Sequence, residues 1–211
     1  YRRALAAALS ATEIDPRLDN FLLALKTTGL AVADNRLDDP SLILTLNDLR
    51  ARAGFGSLSF ADRWRVEGEL LGVLANAPDP DAEVNYGVTF RDGAIALADT
   101  MLAELDPADP ALRSLPVTRV FNLLNRLHLD NGDCPSIVAS SRRAIELAPA
   151  LAMNWASQRT LLLEWGDCLS RMSGIGDGRS LDAFVADSTQ QTQLRQDWAD
   201  YASALKTAEA N

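Results

Sequence analysis

Leu127-His128-Leu129-Asp130-Asn131-Gly132-Asp133-Cys134 returns further along the chain as Leu161-Leu162-Leu163-Glu164-Trp165-Gly166-Asp167-Cys168. The interval from Gly132 to Gly166 is 34 residues, as it is from Cys134 to Cys168 and from Phe121 to Trp155. Self-similarity at a fixed period of roughly 20–50 residues marks a protein built from repeated supersecondary units. Such a unit cannot bury its apolar face alone, so neighbours stack to make the core.

Outward from these octets the apolar spacing is helical. Leu18, Leu22, Leu25 and Gly29 recur at three and four residues, as do Leu42, Leu46 and Leu49; Trp64, Leu71 and Leu74 follow the same period. No run alternates with period two for long enough to argue a strand. Breakers separate the segments: Asp15-Pro16, Asp39-Pro40, Gly54-Phe55-Gly56, Pro78 to Asp81, Asp106-Pro107 through Pro116, and Gly174 to Gly178. Ser59 suits the N-cap of the helix carrying Trp64, with Asp62 in its first turn. Counting between breakers predicts roughly nine helices with short connections, hence antiparallel neighbours.

The stretch from Thr118 to Ala150 resembles one unit of the tetratricopeptide repeat family. Phe121 takes the early aromatic position and Leu124 the leucine position of a first helix. Asn131-Gly132-Asp133 is the turn, and Ala144-Ile145-Glu146-Leu147-Ala148-Pro149 resembles the family's closing motif. A small alanine lets two helices cross closely, and proline stops the second. Ala11-Thr12-Glu13-Ile14-Asp15-Pro16 and Ala103-Glu104-Leu105-Asp106-Pro107 echo that closing motif. Trp155 to Cys168 resembles a further first helix and its turn. Asn125 and Arg159 depart from the pattern, standing where the family has a small residue, and between Arg17 and Pro80 helices continue without the motif.

The resemblance implies an all-α chain of antiparallel helix pairs, stacked as a degenerate tetratricopeptide-like solenoid. Residues 1–16 would end a truncated repeat, with Tyr1 and Ala4 at packing positions of its second helix. Residues 17–80 would form irregular pairs and 81–169 the clearest repeats. Residues 180–208 would cap the array with Leu181, Phe184, Val185, Leu194, Trp198, Tyr201 and Leu205. A mid-repeat beginning suggests a piece of a longer protein, and an open solenoid end would allow self-association.

Net charge is −9. Nucleic-acid binders gain most of their affinity by neutralising phosphate, so this balance argues against nucleic acid. Phe21 to Ala33, the longest largely apolar stretch, is interrupted by Lys26 and two threonines, which argues against membrane insertion. The compartment stays open between cytoplasm and periplasm. Cys134 and Cys168 are expected as two free, largely buried thiols: stacked helices lie about 8–10 Å apart, and a disulfide needs Cα atoms within about 7 Å. Free thiols favour a reducing compartment.

Chemistry-bearing motifs are incomplete. His128 is the only histidine, so no histidine-based metal site or serine triad is complete within the chain; it reads as a satisfied, partly buried imidazole. Gly174-Ile175-Gly176-Asp177-Gly178 lacks the lysine and hydroxyl of a phosphate loop. Asp79, Asp81 and Glu83 lack the glycine and distal glutamate of a calcium loop, and read as solvated acids. No cofactor and no catalysis are expected.

Arg119, Asn122 and Arg126 share one helical face by their three- and four-residue spacing. In the resembled family that face lines a concave groove that binds peptides; Met153, Ala156, Thr160 and Leu163 of the next helix would extend it. Arg126 suits a carboxylate and Asn122 an extended backbone. The plainer reading is a solvated face whose charges pair locally. The expected function is a scaffold for a peptide or protein partner. The alternative is a non-catalytic arm of a larger, membrane-associated enzyme or polysaccharide-assembly machine.

Overall fold

The computed structural model describes residues 2–15, 17–33, 57–85, 88–174 and 192–209. The expected helix ends at Asp39-Pro40 and Gly54-Phe55-Gly56 lie outside these residues, as do Tyr1, residues 175–178 and the first part of the capping segment, 180–191. The chain divides into two compact units, Tyr1–Leu105 and Asp106–Asn211.

The first unit holds α1 (Arg2–Ile14), α2 (Leu18–Ala33), α3 (Phe60–Ala75), two short strands, β1 (Glu83–Asn85) and β2 (Val88–Thr89), and α4 (Phe90–Ala103). Helix α1 stops before Asp15-Pro16 as the sequence predicts. Ala8 and Thr12 are buried among its described side chains, whereas Ala4 is exposed. Ser59 caps α3, its hydroxyl accepting from the Asp62 amide at 3.2 Å. Thr89 caps α4 the same way through the Asp92 amide at 3.0 Å. A β-carbon at Gly29 would stand 2.8 Å from a methyl of Val73, so the Val73 side chain of α3 packs directly on the α2 backbone there. Phe21, Leu25, Trp64, Leu71 and Met101 are buried in this unit.

Strands β1 and β2 pair antiparallel, where no strand was expected. Three residues facing two are too few for a period-two pattern to register. Asp81 is also more than a solvated acid. It accepts from Arg91 Nε at 3.0 Å and Nη2 at 3.1 Å, and Arg91 is itself buried. This two-pronged contact ties the loop ahead of β1 to α4.

The second unit runs through a 3₁₀ turn (Pro110–Ser114), α5 (Val117–Asp130), α6 (Cys134–Leu147), α7 (Trp155–Ser173) and α8 (Thr192–Glu209). Asp133 caps α6 by accepting from the Ser136 amide at 3.2 Å, and proline occupies the first turn. Asn154 caps α7 through the Ser157 amide at 2.9 Å. Gly174 ends α7 in the left-handed conformation, at φ 66°. Phe121, Leu124 and Ala144, singled out for packing, are buried.

The second octet departs from expectation. The resemblance puts a turn at Trp165-Gly166-Asp167, yet α7 continues unbroken to Ser173. Trp155 is nearly half exposed, although its counterpart Phe121 is fully buried. Trp155 opens the first turn of α7, whereas Phe121 lies a full turn inside α5.

Helix α8 packs on α6 and α7. Leu194 and Ala208 join Cys134, Ile137, Val138, Leu162, Trp165, Cys168 and Leu169 in one buried cluster, with Trp198 and Tyr201 partly buried against it. Burying a side chain of this size contributes about 1.5–3 kcal/mol. Trp165 meets Tyr201 edge-on, and Tyr201 meets Trp198 likewise.

The cysteines overturn the expectation of free thiols. Cys134 and Cys168 form a disulfide with their Cα atoms 5.0 Å apart. The spacing of helix axes misleads here, because Cα atoms ride about 2.3 Å off each axis. Residues on facing sides therefore come several ångströms closer than the axes do.

Candidate functional site

Helix α5 carries its buried stripe through Val117, Val120, Phe121, Leu124, Leu127 and His128. Arg119, Asn122 and Arg126 are exposed. The spacing argument therefore places these three correctly on the side of α5 that faces away from the core.

On α7, Ala156, Thr160 and Leu163 are exposed, and Leu163 keeps 59% of its surface accessible. Met153 does not join them. It is buried in the connection between α6 and α7, lining a cavity of about 250 Å³ with Ile145, Pro149, Gln158 and Ala204. Its carbonyl accepts from Gln158 Nε2 at 2.7 Å. Ala152, just before it, takes a left-handed φ of 49°. That turn carries Met153 inward, a reversal that helical spacing does not anticipate.

A polar network missed in the sequence sets α5 beside α7. Asn125 is buried; its amide nitrogen donates to Ser141 Oγ at 2.8 Å and to Glu164 Oε2 at 2.6 Å, and its oxygen accepts from Ser140. The bond to Glu164 joins α5 directly to α7. Short connections through α6 make α5 and α7 run in the same direction. Asn125 and Glu164 sit at the facing edges of the two exposed stripes. The signal was present: Asn125 is a polar residue where the repeat has a small one, and a buried amide demands partners.

Two of the carboxylates bordering this face are engaged, and a third, Asp130 on α5, is exposed. Glu164 accepts from Asn125, and Asp167 lies 2.7 Å from Arg171. Arg159, which also departs from the repeat pattern, is exposed near Ala156 and Thr160 in the sequence of α7. Exposed on these sides of the two helices are Arg119, Arg126 and Asp130 of α5, and Arg159, Leu163, Asp167 and the half-exposed Trp155 of α7.

His128 is buried. Its Nδ1 lies 3.4 Å from Asp133 Oδ2, too far for a well-formed hydrogen bond, so the expected satisfied imidazole is not met at this nitrogen. Asp133 is held below its ordinary value of 3.8, first by the hydrogen bond from the Ser136 side chain and also by His128. Burial pushes the Tyr201 hydroxyl upward.

Among the described residues no three His, Cys, Asp or Glu side chains converge as metal ligands, and no helix is long and apolar enough to cross a membrane. No protein-family model, curated protein sequence or solved structure matches the chain.

Proposed function

We propose that the face shared by α5 and α7 binds an extended, acidic segment of a partner protein, and that the chain is a non-catalytic scaffold of tetratricopeptide type. The observation that carries this reading is the Asn125–Glu164 hydrogen bond of 2.6 Å. It holds the two exposed stripes side by side.

Charge complementarity supports the acidic partner. Arg119, Arg126 and Arg159 gather guanidinium groups on a chain of net charge −9. Guanidinium groups take carboxylates in two-pronged fashion. Asn122 offers an amide to a peptide backbone. Leu163 and Trp155 provide apolar contact, and rigid exposed aromatics with arginines are the residue types that anchor interfaces.

The test is selection from a randomised peptide library on the immobilised chain. Peptides rich in Asp and Glu around one apolar residue are expected, with affinity falling as salt screens the charges. The triple variant Arg119→Ala, Asn122→Ala, Arg126→Ala, folded by circular dichroism, should bind the selected peptide at least about tenfold more weakly, the loss of a few charge-assisted contacts. Selection without charge bias, or unchanged binding by the folded variant, refutes the proposal.

A further inference from the structure

The disulfide and the helix that covers it point beyond partner binding. Cys168 is 1% exposed and Cys134 8%, and both belong to the buried cluster that α8 closes with Leu194 and Ala208. Helix α8 is not held by apolar contact alone. Arg142 of α6 donates to Asp197 and lies 3.2 Å from Asp200, both on α8. Its guanidinium also stands 5.7 Å from the centre of the Trp165 ring. Trp198 Nε1 donates to Ser173 Oγ at 2.9 Å. At Gly166 a β-carbon would come within 2.6 Å of the Tyr201 hydroxyl, so α8 lies against the α7 backbone there.

We propose that Cys134–Cys168 is a structural disulfide sealed by α8, that it is reduced only when α8 lifts, and that the chain works in an oxidising compartment. Reduction begins when a thiolate attacks one bridging sulfur. A mixed disulfide forms and the other cysteine leaves as a thiolate. A second thiol of the reductant then releases the first cysteine, leaving two cysteine thiols and an oxidised reductant. The attacking sulfur must reach the bond, and in the closed unit the cluster surrounds it. Opening of α8 therefore sets the rate, as local opening sets the exchange of other buried groups. The bridge closes a 34-residue interval and resists loss in an oxidising milieu, whereas cytosolic thiol systems keep most cysteines reduced.

The test is thiol trapping followed by reduction kinetics on the full chain. Alkylation at harvest from the native source, read by mass, should find no free cysteine before reduction and two after it. With dithiothreitol at fixed pH, the native chain should be reduced at least about 100-fold more slowly than the urea-unfolded chain. Arg142→Ala, which strips the contacts to Asp197 and Asp200, should speed native reduction about tenfold, and Arg142→Lys should recover part of that. Asp99→Ala, on the exposed side of α4, should leave the rate alone.

Two alkylated cysteines at harvest would overturn the compartment and the bridge together. Equal rates for native and unfolded chains would overturn the sealing. If Arg142→Ala fails to fold, Asp200→Asn against the parent decides the matter: it removes the charge that lies 3.2 Å from Arg142 and should speed reduction, and an unchanged rate with helicity retained overturns the role of α8.

Discussion

The two octets 34 residues apart, 127–134 and 161–168, share a glycine, an aspartate and a cysteine at matched positions, and they fold differently. At the first, Gly132 takes φ 70° with open space around its Cα, and the chain reverses. At the second, Gly166 stays helical and its missing side chain admits Tyr201. The residue one past each cysteine decides. Pro135 follows Cys134, and its ring and missing N–H forbid a helix running on through the turn. Leu169 follows Cys168, fully buried, and continues α7. One glycine serves backbone conformation and the other close approach, so the same substitution acts on them through different mechanisms.

Gly166→Ala carries the largest expected effect. The added methyl must displace Tyr201, which is pinned between Trp165 and Trp198, at a cost of about 2 kcal/mol, as for other overpacked sites. The shift is read from the urea midpoint. Tyr201→Phe in the same chain removes the 2.6 Å contact and should return about half of the loss, a coupling that a double-mutant cycle isolates. Strict additivity would show that Gly166 does not contact α8.

Gly132→Ala should cost less, about 1 kcal/mol, because only the left-handed backbone is penalised. Gly132→Asn should cost less again, since asparagine tolerates that conformation. Neither should couple to Tyr201. Coupling would mean that the first octet, like the second, is held by packing.

The smallest effect belongs to Asp133, the cap of the first turn. Its carboxyl is held below 3.8 by the Ser136 hydrogen bonds and by His128. A depressed folded value means that the ionised form is favoured in the folded chain. The contribution is therefore complete above the unfolded value and disappears as pH falls through the folded one. Stability measured from about pH 5 to pH 2 should decline less steeply in Asp133→Ala than in the parent. Equal slopes would show that the carboxylate contributes nothing to the turn.

Much of the fold was legible. The cap at Ser59, the stop at Asp15-Pro16 and the exposed trio Arg119, Asn122 and Arg126 all follow from local rules: a hydroxyl before a helix, a proline after one, and polar residues three and four apart. Met153 was misplaced because a non-glycine left-handed residue, Ala152, reverses the chain just before it. Asn125 was read as a departure from a pattern rather than as the centre of a network, because its partners Ser141 and Glu164 lie 16 and 39 residues away.

The helical character, the stop at Asp15-Pro16, the cap at Ser59 and the exposed side of α5 are legible in the sequence alone, because these depend on neighbours within about one turn. Only the tertiary structure decided that Gly166 is a contact and not a turn, that Cys134 and Cys168 join, and that Arg142 engages the carboxylates of α8. Each of these depends on which surfaces of distant helices meet, and on ångström-scale distances that a period of 34 residues does not encode.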